Sequence, residues 1–112
     1  MKIHQYKTAG GKDVIDEYIL SLSHDERRDG HSVIKAFEEN RIDEVRSKLW
    51  RGKIWEVYFY RDNRLFYVVV DNEDAYFIHA CRKQKNKTEK QDSKIVVQRA
   101  KDLGRELLKK FI

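Results

Sequence analysis

Proline is absent from the 112 residues, and cysteine occurs once, at Cys81. With no proline there is no Pro-rich linker to separate modules, and no internal repeat or low-complexity tract takes its place. A single cysteine excludes an internal disulfide and the multi-thiolate zinc patterns, so the fold has to stand on packing. Long apolar runs are missing too. The longest apolar stretches, Leu65–Val70 and Ala75–Cys81, fall far short of the roughly 20 residues needed to span a bilayer. Residues Met1–Lys7 carry no apolar run of secretory type, so the expectation is no signal peptide and a cytoplasmic location. The length suits one domain over residues 1–112, because domains cluster at roughly 100–150 residues.

What the chain does have is charge and aromatic bulk. Aromatics make up 12% and charged residues 38%, a mixture that supports a packed core and argues against a disordered chain. The net charge of +5 is unevenly placed: residues 1–81 hold 13 basic and 15 acidic side chains, whereas residues 82–112 hold 11 and 4. Arg82, Lys83, Lys85, Lys87 and Lys90 fall within nine positions. Such a cluster is an electrostatic footprint for a polyanion, and the bland alternative is a solvated face kept for solubility.

Periodicity predicts the elements. A short edge strand over Lys2–Lys7 runs into the Gly10-Gly11 turn signal. Val14, Ile15, Tyr18, Ile19 and Leu22 recur at helical spacing, giving a helix of about ten residues that ends near Ser21–Ser23. Ser23 and Glu26 form a capping-box arrangement ahead of a second helix with Val33, Ile34 and Phe37 on one face, stopped near Asn40. Arg41–Arg51 is charged and weakly periodic; Ile42, Val45 and Leu49 suit a helical turn, and Trp50 and Gly52 suggest the approach to a sheet. Three runs rich in β-branched and aromatic residues follow, Lys53–Tyr60, Arg64–Asp71 and Ala75–Cys81, joined by short polar turns as in an antiparallel meander. Val96, Ala100, Leu103, Leu107 and Phe111 lie on one helical stripe from about Asp92.

The predicted class is α+β, a small antiparallel sheet (N-terminal strand plus meander) with two N-terminal helices and one C-terminal helix. One sheet face is expected to be buried. On the other, Glu56, Tyr58 and Tyr60 lie together, Arg64 is expected to stay accessible at its strand's start, and His79 is expected to share a face with Phe77 and Cys81.

The runs Trp55-Glu56-Val57-Tyr58, Arg64-Leu65-Phe66-Tyr67 and Ile78-His79-Ala80-Cys81-Arg82-Lys83-Gln84-Lys85-Asn86-Lys87-Thr88, in that order within residues 49–103, resemble the RelE/ParE toxin superfamily, and within it the phage-derived HigB-like branch. Two positions depart from that pattern. Tyr58 stands where the branch has arginine, and Glu89 where proline often follows Lys-Thr. The resemblance implies a RelE-like fold and the toxin of a type II toxin–antitoxin pair: a ribosome-dependent, metal-independent mRNA endoribonuclease that needs no cofactor. It also implies a helix-turn-helix antitoxin as partner, with operator DNA engaged only through the antitoxin complex. ParE-like members target gyrase instead, so a gyrase inhibitor remains open beside the nuclease, as does a non-catalytic RNA-binding relative.

The residue types suit RNA cleavage by 2′-hydroxyl attack. No carboxylate cluster suggests a metal site, and neither a phosphate-cradling Gly loop nor a nucleophile elbow occurs. Arg64 suits a phosphate oxygen, being always charged and forked. His79 titrates near neutrality and suits proton transfer, as does one of the crowded Lys83, Lys85 and Lys87. Tyr58, Tyr60 and Tyr67 suit base stacking or a phosphate hydrogen bond, and Arg82 and Lys90 extend the basic run. His4, His24 and His31 carry no functional signal, and Cys81 reads as a small buried strand residue.

Overall fold

The computed structural model describes residues 1–83 and 90–112. In chain order these form β1 (Lys2–Gln5), α1 (Val14–Leu20), α2 (His24–Glu38), a 3-10 turn (Ile42–Glu44), β2 (Arg46–Arg51), β3 (Ile54–Phe59), β4 (Asn63–Val70), β5 (Asp74–Arg82) and α3 (Lys90–Leu107). One five-stranded sheet has the order β1-β5-β4-β3-β2. The α+β class and the meander follow the sequence expectation, with two corrections. The sheet is mixed, because β1 pairs with β5 in parallel. It also gains β2, whose exposed Arg46, Lys48 and Arg51 hide the apolar alternation that marks a half-buried strand.

Both sheet faces are covered, which corrects the expectation of a single buried face. Ile15 and Ile19 of α1 and Val33, Ile34 and Phe37 of α2 pack on Val57, Phe59, Leu65, Tyr67 and Phe77. On the other face, Val96 and Ala100 of α3 pack on Ile54, Phe66, Val68 and Ile78. Central β4 is buried along nearly its whole length, and this is why it reads as an apolar run and not as an alternation.

The helix ends are built locally. Asp13 caps α1 by accepting from the Ile15 and Asp16 amides at 3.1 and 2.9 Å. The capping box expected at Ser23 does not form. Ser23 Oγ instead donates to Glu26 at 2.9 Å, because that carboxylate is drawn into a buried network with β4 and β5. Asn40 takes φ 58° just past α2. At the far end of the chain, Leu108 (φ 56°) turns the backbone so that the Lys109 amide reaches the Gly104 carbonyl at 2.9 Å. A Cβ at position 104 would stand 2.6 Å from the Lys109 carbonyl oxygen, so Gly104 is required there despite its cost within a helix. Phe111, beyond the helix, rejoins the α3 core, and its carbonyl accepts from the Lys53 amide at 2.7 Å.

One irregularity decides which side chains meet. In the β4–β5 ladder Phe66 pairs with His79 but Tyr67 pairs with Phe77, leaving Ile78 as the extra residue of a bulge. The alternation of β5 therefore flips there. Phe77 joins the α1–α2 core, whereas His79 and Cys81 lie opposite Phe66 and Arg64 on the α3 side. This corrects the expectation that His79 and Phe77 share a face.

Candidate nucleic-acid interface

Cross-strand register assembles a charged cluster on the α3 side of the sheet. Arg46 pairs with Tyr58, Lys48 with Glu56, and Tyr58 with Arg64. Arg64 is 2% exposed, which corrects the expectation that it stays accessible. Its Nη1 donates to Glu56 Oε2 at 3.0 Å, and Glu56 is itself 1% exposed. The other carboxylate oxygen accepts from the Tyr58 hydroxyl and lies 3.5 Å from Lys48 Nζ. A buried carboxylate is costly unless paired and hydrogen-bonded, and Glu56 has two cations and a phenol to meet that need. Four cations surround the Tyr58 ring, with Arg46, Lys48, Arg64 and Lys83 at 5.4, 5.8, 5.6 and 5.2 Å from its centroid. Burial and the Glu56 hydrogen bond push the Tyr58 phenol up, and the hydrogen bond to Tyr58 pushes the Lys48 ammonium up.

Beside this cluster lies an open groove of about 690 Å³, lined by Arg46, Tyr58, Tyr60, Arg61, Arg82 and Lys83 and also by the acidic Asp29 and Asp62. Half of the Tyr60 surface is exposed, and the Arg61 guanidinium sits 5.7 Å from its ring centroid. The floor is braced from α2: Asp29 accepts from the Tyr60 amide at 2.7 Å, and Glu26 accepts from Arg82 Nη2 and Asn63 Nδ2, both at 2.7 Å. Tyr18 donates its hydroxyl to Asn63 at 2.5 Å. The Asn63 and Ser23 hydrogen bonds, with Arg82 adding to them, hold the Glu26 carboxyl down at about 2. Arg82 also donates to the Arg61 carbonyl at 2.8 Å, and the Lys83 amide donates to the Asp62 carbonyl at 2.5 Å. These bonds hold the β3–β4 turn against the end of β5. A smaller recess of about 280 Å³ adjoins, sharing Asp29, Arg46 and Tyr58 and adding Arg41. Cations and aromatic faces along one open groove are the combination that tracks a phosphate backbone and stacks its bases.

Of the residues expected at the site, the groove brings together Tyr58, Tyr60, Arg82 and Lys83, with Arg64 packed beneath Tyr58. Tyr67 is not among them. It is 3% exposed on the α1–α2 face, edge-on to Phe37 with centroids 4.8 Å apart, and so is a core residue and no stacking platform. Lys90 is exposed at the first position of α3. Lys85 and Lys87 lie outside the described residues. Sequence reasoning missed Arg46, Lys48 and Arg61. The available signal was the spacing of Arg46 and Lys48 two residues apart, which marks one strand face, but only the β2–β3 register carries them to Tyr58.

His79 stands apart from the groove and is 8% exposed. Its Nε2 lies 2.8 Å from Asp92 Oδ1 and its Nδ1 lies 3.2 Å from Arg99 Nη1. A guanidinium has only donors, so Nδ1 accepts and the ring hydrogen sits on Nε2, directed at Asp92. Burial holds the imidazole below its ordinary pKa; Asp92 opposes that shift and Arg99 adds to it. Among the described residues, His79, Cys81 and Asp92 form the one group with ligand atoms all within 4.8 Å of one another. A metal-bound imidazole donates from its second nitrogen, whereas here that nitrogen accepts from Arg99. The group therefore fits a hydrogen-bonded latch between β5 and α3 better than a metal centre. Burial pushes the Cys81 thiol up to about 12, which leaves it inert.

No curated protein matches the chain. The profile of the family described as phage derived protein Gp49-like (DUF891) does match, over residues 17–101. That span takes in strands β2 to β5, the buried Arg64–Glu56 pair and every side chain of the basic groove. The chain thus belongs to the Gp49-like family, a toxin-like family related to the RelE/ParE superfamily.

Proposed function

We propose that this protein is the toxin of a type II toxin–antitoxin pair, of the HigB-like kind, and that it acts as a metal-independent endoribonuclease on mRNA at the ribosome. The observation that carries this reading is the groove in which Tyr58 and Tyr60 stand among Arg46, Arg61, Arg82 and Lys83. In this reading Arg46, Arg82 and Lys83 hold phosphates, and the exposed Tyr60 ring stacks a base. Cleavage needs the 2′-hydroxyl to lose a proton as it attacks phosphorus, and the departing 5′-oxygen to gain one. Lys83, at the groove, is the described candidate for one of these transfers, and Lys87 in the same basic run is the candidate for the other. Arg64 acts from below, fixing Glu56 and Tyr58, and His79 acts by tying α3 to the sheet. A helix-turn-helix antitoxin that silences the groove is the expected partner, with operator DNA reached through that complex.

The test is brief induction of the chain in a bacterial host followed by mapping of mRNA 5′ ends. The expected result is growth arrest with new ends inside translated codons, relieved by co-expression of the neighbouring antitoxin frame. Arrest with intact mRNA and inhibited gyrase would replace the nuclease with the ParE-like alternative. RNA binding with no arrest would leave a non-catalytic relative.

A further inference from the structure

The Tyr58 hydroxyl has one hydrogen, and that hydrogen is committed to Glu56. A carboxylate paired with Arg64 and Lys48 can only accept, so the direction of the bond is settled by chemistry. What the phenol oxygen has left is lone pairs. Lys48 Nζ stands beside the phenol, 5.8 Å from the ring centroid, and any further partner must bring a hydrogen of its own. This end of the cluster is reachable from solvent: 61% of the Lys48 side chain is exposed, and Tyr58 lines the main groove. Phosphate oxygens are acceptors and find no donor at this oxygen. A ribose 2′-hydroxyl is a donor, and deoxyribose lacks it.

We propose that Tyr58 selects RNA over DNA in this groove by accepting a hydrogen bond from a ribose 2′-hydroxyl, and that Glu56 is the positioning residue that keeps the phenol an acceptor. This rests on the reading of the groove as an RNA site, but not on cleavage. Glu56 touches no ligand. It acts by taking the phenol hydrogen and, through Arg64, by fixing the floor on which the ring lies.

The experiment measures fluorescence anisotropy of the full chain with three single strands of one sequence: RNA, DNA and 2′-O-methyl RNA. The methylated strand keeps the ribose oxygen and replaces the donor hydrogen with a methyl group, so a preference that survives in Tyr58→Phe reports the bulk of the methyl and not the hydrogen bond. The wild type should bind RNA about three- to tenfold more tightly than either of the others, the range one neutral hydrogen bond supplies. Tyr58→Phe keeps the ring and should bring the RNA-to-methyl ratio to about one. Glu56→Gln should lower the ratio too, and Tyr58→Phe carries the test alone if that variant does not fold. A wild type that binds all three strands equally, or a Tyr58→Phe variant that keeps the preference, overturns the proposal. Cleavage on ribosomes without a 2′-hydroxyl preference would sink this inference and leave the nuclease standing. A preference without cleavage would do the reverse.

Discussion

Arg64 shows how burial changes the meaning of a residue. As an accessible cation it would be expendable for folding; at 2% exposure, bonded to a Glu56 that is equally hidden, it is part of the fold. Removing one partner of a buried ion pair leaves the other charge without compensation. Arg64→Ala should therefore cost about 3 kcal/mol in urea denaturation. Lys48 and Tyr58 stay with the carboxylate and keep the loss near the low end of the usual range. A variant as stable as the wild type would show that Glu56 does not depend on Arg64. For the same reason, loss of cleavage in Arg64→Ala means little by itself, and Tyr58→Phe is the cleaner probe of the site.

Among the elements, the β5 bulge and the first turn of α3 belong together. The extra residue Ile78 turns His79 toward α3, where Asp92 and Arg99 take its two nitrogens, and Arg99 also donates to the Ile78 carbonyl at 2.9 Å. Because burial depresses the His79 pKa, the fold favours the neutral ring. That contribution is whole above the unfolded value of about 6.5 and is lost as the pH falls through the lower folded value. Acidification should consequently loosen α3 before the rest of the sheet. Amide hydrogen exchange at pH 7 and pH 5, corrected for intrinsic rates, should show the protection of residues 92–100 dropping in the wild type. In His79→Gln, which has no proton to gain, the drop should be absent. Equal pH dependence in both chains would remove His79 as its source.

At the scale of the whole molecule, charge and shape divide the labour. Two helices close one face of the sheet and α3 closes the other, and the proposed RNA surface is the open end where the β3–β4 turn meets the end of β5. No described helix is long and apolar enough to cross a membrane. Cations from β2, the β3–β4 turn and β5 converge on that end, and affinity for RNA should fall steeply with salt. Each phosphate contact removed should flatten the slope of log K against log salt by about 0.7 for a single strand. Changing Arg46 and Lys83 to Gln, one at a time and together, should give additive steps of that size with little change in melting temperature. An unchanged slope would return both residues to the role of a solvated surface.

The sequence by itself determined which segments are helices, where the three-strand meander runs, and that a basic stretch follows the last strand. These are local properties, because periodicity within one segment reports which of its faces is apolar. It also marked Tyr58, Tyr60, Arg82 and Lys83, since aromatic and basic residues at strand ends are visible without partners. Only the tertiary structure decided that β2 joins the sheet, that β1 runs parallel to β5, that Arg64 and Tyr67 are buried, and that His79 faces α3. Each of these depends on pairing between distant segments. A one-residue change of register moves every later side chain of a strand to the other face, so the bulge at Ile78 and the pairing of Arg46 with Tyr58 could not be read from either strand alone.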